Sequence, residues 1–521
     1  MARLHEYQGK AILAANGFKI PRGRAAFTAD QAVTVAKELA DKGGNKVVIK
    51  IQAWITGRAG IGGVAFAKKP DEVRGHAARM LAMKIGQFPV EAVLVEEKID
   101  IDREFFLSFA IDDAARAPVI IFAGGGGSGI EERSASTRRI SCDVNRGPID
   151  SVVNAVVASC GLSPAHATEL AESIRKLFAA ARSVEARSLE INPLVLAKDG
   201  RFIAADCRIT IDDYAVARHP ELGIEIAREF DHPPTALERV AYAVEQSDHR
   251  GTFYFAQLAT AAAKDSKGLV GFHGAGGGGS MMSMDAIVNA GFTIANFTDT
   301  SGNPSASKVY RASRIILAQP DLVGYFGSGS GVASQEQYWS AYGLAKAFWE
   351  LDLDIPAVIR LGGNTEGHAV DILHRMSELV RAPVEGYRKS DTPAVIAARF
   401  AELVAGAAGA KWKPRAPRVP KFVKDPSATM FPVKNGRVWI DTAKWPQIRS
   451  AVETHSSGLI VDRAGAPVAA LASEEFANKD SELLACDVEC RLAGVEGFYL
   501  ELDIPGLDEL IGRKVVLDDG N

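Results

Sequence analysis

The stretch Gly268-Leu-Val-Gly-Phe-His-Gly-Ala-Gly-Gly-Gly-Gly279 decides the reading of the C-terminal half. Its first five residues have the length and apolar character of a buried strand, and the glycines after them allow a tight turn into a helix. The same unit then recurs downstream. A helix is predicted near Ser283 to Ala290, a strand at Phe292-Thr-Ile-Ala-Asn-Phe297 and a helix near Ser305 to Leu317. Leu322-Val-Gly-Tyr-Phe326, a helix near Gln335 to Leu351 and Ala357-Val-Ile-Arg-Leu361 complete the series. Four strands separated by helices predict a doubly wound parallel sheet, in which ligands bind at the carboxyl ends of the strands.

Working outward, Val47-Val-Ile-Lys-Ile51, Ala92-Val-Leu-Val95 and Val119-Ile-Ile-Phe122 read as strands. Asp30 to Lys42 and Ala165 to Val184 read as amphipathic helices. Asp231-His-Pro-Pro234 is a joint, with a helix expected near Ala236 to Gln246. Lys411 to Lys424 carries six basic residues and three prolines without an acid, the composition of an extended linker. Beyond it Val438-Trp-Ile440, Leu459-Ile-Val461 and Val468-Ala-Ala-Leu471 suggest a small α+β unit. The expected division is 1–230, a linker with helices at 231–267, 268–410, the basic linker at 411–424, and an appendage at 425–521.

Composition narrows the function classes. The 521 residues are 47% hydrophobic and 24% charged, which fits a multidomain globular protein. Sixty basic residues against 64 acidic ones leave a net charge of -4 and no general basic field for nucleic acid. No apolar run is long enough for a membrane span, and the N-terminus lacks a secretory pattern, so a cytoplasmic location is expected. Five cysteines are too few, and odd in number, for a disulfide framework.

Glycines cluster at 57–63, 124–129, 274–279 and 327–331, where backbone amides could approach a ligand closely. Gly274 to Gly279 with Asp299 after the next strand satisfies a dinucleotide-binding pattern, which makes an NAD-binding oxidoreductase one reading. Farther upstream lies a different phosphate apparatus. Lys50 ends a strand and precedes the loop Thr56-Gly-Arg-Ala-Gly-Ile-Gly-Gly63; a lysine there can neutralise a phosphate while the loop amides fold over its oxygens. Glu96 and Glu97 end another strand, suited to accepting from adenine or ribose. Asn192 and Asp206, on neighbouring predicted strands, offer the oxygen ligands that Mg²⁺ takes when it also bridges phosphates. Taken singly, each of these residues is more often part of a solvated surface; their order along the chain is what favours a site.

In their order along the chain, Leu4-His-Glu-Tyr-Gln-Gly-Lys10, Lys50 with Gly57-Arg58, Leu94-Val-Glu-Glu97 with Glu104, and Glu190-Ile-Asn-Pro-Leu-Val195 before Asp206 resemble the ATP-grasp half of a succinyl-CoA synthetase beta subunit. Gly274-Ala-Gly276, Asn296-Phe297, Ile315-Ile-Leu317, Phe326-Gly327 and Pro356 to Gly363 extend the resemblance over roughly residues 3 to 380. It implies an α/β and α+β multidomain protein: an N-terminal ATP-grasp fold, a doubly wound, flavodoxin-like CoA-ligase domain, and the small α+β appendage. It also implies roles. Lys50, Gly57 and Arg58 would line nucleotide phosphates, with Glu96, Ile99 and Glu104 around adenine and ribose; Asn192 and Asp206 would hold Mg²⁺. Glu190 would meet a phosphohistidine carried by an alpha-like, CoA-binding partner subunit. His273 and the turn Gly329-Ser330-Gly331-Val332 would bind a small carboxylic acid. ATP, Mg²⁺ and CoA are the implied cofactors and co-substrate.

The departures bear on substrate. His273 stands where the family has an asparagine, and the loop Gly327 to Glu336 lacks the family's Gly-Gly-Ile-Val-Arg-Cys-Asp string. Gly60 stands where the glycine loop of the family has a lysine. The expected activity is therefore ADP-forming ligation of CoA to an acid other than succinate; the alternatives are a non-catalytic nucleotide-binding paralogue or scaffold, and the oxidoreductase. His368, in Gly367-His-Ala369, reads as structural, so the phosphoryl carrier is expected on the partner.

Overall fold

The computed structural model describes residues 1–41, 46–126, 137–246, 251–329 and 333–407, with short pieces between 433 and 501. Two units emerge, Met1–Pro234 and Thr235–Asn521. The basic linker at 411–424 lies outside the described residues.

In the first unit a small antiparallel sheet runs in the order Gly23–Ala26, Val93–Glu97, Val47–Ile51, Val64–Ala67. Helices Ala29–Asp41 and Pro70–Leu81 contribute Val33, Leu39, Val73 and Met80 to the core beneath it. Side chains alternate along a strand, so Val47, Ile49 and Ile51 enter that core while Lys50 leaves from the opposite face. The register Val48↔Glu96 sets Glu96 diagonally across from Lys50 on that same face.

A larger antiparallel sheet follows the order Ala2–Arg3, Arg208–Ile211, Ala186–Ala197, Ile101–Asp112, Ala117–Ala123, Arg138–Asp143, Gly147–Pro148, with Phe202–Ala204 paired to Ala186–Ala197. Helices Glu6–Ala15, Asp150–Ala158 and Pro164–Ser183 share its core through Leu13, Val153 and Leu177. The longest of these helices starts where the chain provides a cap: Ser163 accepts from the His166 N–H and Pro164 occupies the first turn.

The second unit holds the parallel sheet. Its order is Tyr254–Gln257, Asn296–Asp299, Leu269–Ala275, Leu322–Gly329, Ala357–Arg360, Val384–Tyr387, antiparallel only at the first pair. Numbered along the chain, the parallel strands run 2-1-3-4-5, the flavodoxin-like order. Helices Ala306–Leu317, Tyr338–Glu350 and Glu366–Ser377 cover one face; Gly277–Asn289 and Pro393–Ala407 cover the other. Adjacent Tyr325 and Phe326 serve opposite cores, as strand alternation requires.

Four features exceed the sequence reading. Gly277 to Gly279 form the first turn of a helix rather than a loop before it. A fifth parallel strand, Val384–Tyr387, closes the sheet, and Tyr254–Gln257, within the stretch read as a linker with helices, is its antiparallel edge. The tail also touches this unit: Leu484 and Val488 are buried in the same core as Tyr342 and Leu373, and the Tyr342 hydroxyl donates to Glu489 at 2.9 Å.

Candidate functional site

Six ionisable side chains from four parts of the first unit's chain meet in one cluster, buried at Glu6, Lys10 and Glu96 and half-buried at Lys50, Arg58 and Asp206. The helix Glu6–Ala15 places Glu6 and Lys10 one turn apart, 2.8 Å between Nζ and Oε1. Lys50 Nζ donates to Glu6 Oε1 at 2.7 Å and to the Ala205 carbonyl at 2.8 Å, and lies 3.1 Å from Glu96 Oε2. Lys10 Nζ donates to both oxygens of Glu96, at 2.6 and 2.8 Å, and to the Ala205 carbonyl at 2.9 Å. Arg58 donates through Nη1 to Glu6 Oε2 at 2.7 Å and through Nη2 to Asp206 Oδ2 at 2.7 Å.

Burial and charge oppose one another here. Burial alone would raise the Glu6 pKa, but Lys10, Lys50 and Arg58 outweigh it and hold the carboxyl well below the usual range. Burial would likewise lower Lys50, and Glu6, Glu96 and Asp206 reverse that, keeping the ammonium charged. Arg58 follows the same pattern, its burial outweighed by Asp206 and Glu6.

The expected site residues distribute around this cluster. Gly57 has φ +68 and no atom near the position of a Cβ, and the Gly63 N–H donates to the Arg58 carbonyl at 2.8 Å, so the loop closes on the backbone of Arg58. Asn192 and Asp206 flank the hydrogen bond from Ala205 N–H to the Pro193 carbonyl, at 3.1 Å, which continues the pairing of the strands Ala186–Ala197 and Phe202–Ala204 by one residue. Asn192 Nδ2 donates to Glu190 Oε1 at 3.4 Å. Ile99 packs with Val195, Ala197, Ile203 and Ala205, an apolar patch next to the carbonyl that holds both lysines. Glu104 lies opposite Val195 across the sheet and is half-buried. Glu96, expected at ribose or adenine, is 2% exposed with both carboxylate oxygens facing the lysines; its neighbour Glu97 takes the other face and accepts from Arg22 Nε at 2.7 Å.

Glu6, Lys10 and the Ala205 carbonyl were not singled out from sequence. The buried i,i+4 acid–base pair inside the Leu4 to Lys10 motif was the available signal. Among the described residues no three His, Cys, Asp or Glu side chains converge as a metal set. The amide of Asn192 and the carboxylate of Asp206 still suit Mg²⁺, which binds through one or two protein oxygens when phosphates supply the rest.

At the carboxyl ends of the second unit's strands, His273 departs from the expected role. It is buried, with Nδ1 2.5 Å from the Tyr325 hydroxyl and Nε2 3.0 Å from Thr300 Oγ1, and burial lowers its pKa to about 3. Strand alternation turns the ring into the sheet's core, so both nitrogens are spent within the protein. Gly329 ends its strand, its carbonyl held by Arg360 Nη1 at 3.0 Å; Ser330, Gly331 and Val332 lie outside the described residues. Asp299, the acid of the dinucleotide reading, accepts through Oδ1 from the N–H groups of Gly276 and Ser301, at 2.9 and 2.8 Å. His368 stands against Tyr338 and Tyr342, with ring centroids 5.3 and 6.2 Å away. No helix among the described residues is long and apolar enough to cross a membrane.

Comparison with known proteins agrees with this architecture. The family model for the ATP-grasp domain matches residues 3–196. The GDP-forming succinate–CoA ligase subunit beta of Thermus thermophilus is 34% identical over 375 residues, covering 71% of this chain and 93% of the relative. The ADP-forming succinate–CoA ligase subunit beta of Rubrobacter xylanophilus is 31% identical over 375 residues, covering 71% and 92%. Among solved structures, ATP citrate lyase from Methanothrix soehngenii, in complex with citrate and coenzyme A, superposes with a TM-score of 0.59. It is 18% identical, covers 77% of this chain and 99% of its own, and so speaks for the fold. With its ATP-grasp domain followed by a flavodoxin-like parallel sheet, the chain belongs to the succinate–CoA ligase beta-subunit family.

Proposed function

We propose that this chain is the beta-like subunit of an ADP-forming acid:CoA ligase that acts on a carboxylic acid other than succinate. The reaction joins the acid to CoA with ATP, giving acyl-CoA, ADP and phosphate. The γ-phosphoryl group passes first to a histidine of an alpha-like, CoA-binding partner. It passes next to the acid, as an acyl phosphate, and the CoA thiol then displaces phosphate. A carboxylate is a poor acyl donor until phosphorylated, and an imidazole nitrogen is a competent carrier.

In this reading Lys50, Arg58 and the amides of the Gly57 loop hold the triphosphate, where positioning and charge govern phosphoryl transfer. Asn192 and Asp206 would hold Mg²⁺, whose charge offsets that of the phosphates. Ile99 with Val195 and Ile203 offers an apolar seat for adenine, Glu104 a carboxylate for ribose, and Glu190 the contact for the incoming phosphohistidine. Residues Gly329 to Val332 take the acid. The division into nucleotide-binding domain (1–230), connecting segment (231–267), CoA-ligase domain (268–410), linker (411–424) and appendage (425–521) belongs to the same proposal.

One observation carries it: Lys50, Arg58 and Asp206, distant in sequence, are joined through Glu6 and the Ala205 carbonyl into a single polar cluster. An acid other than succinate is favoured by His273, an imidazole locked between Thr300 and Tyr325 where the resemblance implies an asparagine reaching the acid. Co-expression with the alpha-like chain, followed by a carboxylate panel with ATP and CoA, tests the reading. ADP and an acyl-CoA should appear together with one acid and in its absence neither should. Turnover with no acid, in a complex that binds CoA and Mg·ATP, would overturn it.

A further inference from the structure

Lys10, Lys50 and Arg58 face Glu6, Glu96 and Asp206, three cations against three anions, so the cluster is balanced before any ligand arrives. Lys50 has three N–H donors, and Glu6, Glu96 and the Ala205 carbonyl lie around it. The side chain of Arg58 spans the cluster from inside to outside: Glu6, at its inner end, is 2% exposed, and Asp206, at its outer end, is 31% exposed. The second Asp206 oxygen accepts from the Cys207 N–H at 2.7 Å, which fixes the carboxylate's direction. Nη1 has a further anchor in the Ile51 carbonyl at 3.2 Å.

We infer that the Arg58–Asp206 ion pair is an internal latch, and that Glu6 is the positioning residue on which it turns. While Asp206 holds Nη2, a phosphate reaching Arg58 must break a partly buried ion pair without compensation. When Asp206 Oδ2 takes a divalent cation in place of Nη2, Nη2 is released toward a phosphate oxygen, and Nη1 stays on Glu6. The contacts that would open are at the exposed end and those that would persist are at the buried end, which is the order of cost expected for breaking them. Metal and nucleotide then strengthen each other's binding by partner exchange, a coupling that is reciprocal by thermodynamic necessity. The inference rests on the nucleotide reading above.

Calorimetry of the full chain with ADP, in excess EDTA and in Mg²⁺, tests it. In wild type Mg²⁺ should tighten ADP binding markedly. In Asp206→Asn, metal-free ADP should bind at least about 5-fold tighter than it does to wild type, and the effect of Mg²⁺ should fall to about 2-fold or less. Lost carboxylate charge alone would also favour an anion, so the substitution is repeated in an Arg58→Gln background, where the gain should vanish. A gain that persists there, or a metal-free affinity that does not rise in a folded Asp206→Asn chain, overturns the latch. Asp206→Ser serves if the asparagine variant does not fold. If wild type binds no ADP even with Mg²⁺, the nucleotide reading itself falls; if it does and the variant shows no gain, only the latch falls.

Discussion

His273 and Tyr325 face each other on adjacent parallel strands, Nδ1 and the hydroxyl oxygen 2.5 Å apart, with Thr300 on the far side of the imidazole and Ser313 beyond the phenol. The residue is 6% exposed, and burial lowers the imidazole pKa to about 3. The folded chain therefore resists a proton that the unfolded chain takes up from about pH 6.5 downward. Stability from this residue is complete above that pH and declines between 6.5 and about 3. Between pH 7 and pH 5 the loss is about 2 kcal/mol. Urea unfolding at both values should show a smaller pH dependence for His273→Gln than for wild type; equal dependence would place the ring in solvent.

Lys10 is a second point of test. Its ammonium touches Glu6, Glu96 and the Ala205 carbonyl, and the residue is 2% exposed. Lys10→Met leaves two buried carboxylates short of a cation and should cost about 3–5 kcal/mol, with Glu96→Gln added to it restoring much of the loss. The depressed Glu6 pKa contributes stability that is present above the ordinary carboxyl value of 4.5 and disappears as pH falls through the lower folded value. Acid unfolding of Lys10→Met should accordingly begin at higher pH than that of wild type, followed by circular dichroism.

Two helical glycines should respond in opposite directions. A Cβ on Gly343 would lie 2.4 Å from the Ala306 carbonyl oxygen and 2.8 Å from Val309 Cβ, where helices Tyr338–Glu350 and Ala306–Leu317 touch. Gly343→Ala should destabilise by about 1–3 kcal/mol despite the better helix former. Gly406 has open space around it, so Gly406→Ala should be neutral or stabilise by up to about 1 kcal/mol. Thermal unfolding of the two variants side by side reads the contrast.

The tail offers a fourth measurement. Leu484 is 1% exposed and Val488 is 0% exposed, both in the core with helices Tyr338–Glu350 and Glu366–Ser377. Leu484→Asp places a charge there and should undock this segment. Hydrogen exchange around 484–492 and on the Tyr342 face should rise, while exchange in residues 47–51 stays unchanged. Unaltered exchange in both places would mean that the contact contributes nothing to stability.

What the residues alone determined was local and periodic. Val47 to Ile51, the helices near 165–184 and 305–317, and the alternation after Lys267 were legible because side-chain burial repeats every two or 3.6 residues. The collinear motifs likewise led to the family. Short elements with little period of their own, Tyr254–Gln257 and Val384–Tyr387, were not legible; they owe their state to pairing with the sheet beside them. Tertiary structure alone decided which charges meet. Glu6 reaches Lys50 across 44 residues of chain and Arg58 reaches Asp206 across 148, and no periodicity records such partners. It also turned Glu96 and His273 inward, because the face a strand residue takes follows from the register and packing of its neighbours. Residue type showed that these groups could carry chemistry; burial and partner geometry determined where each one points.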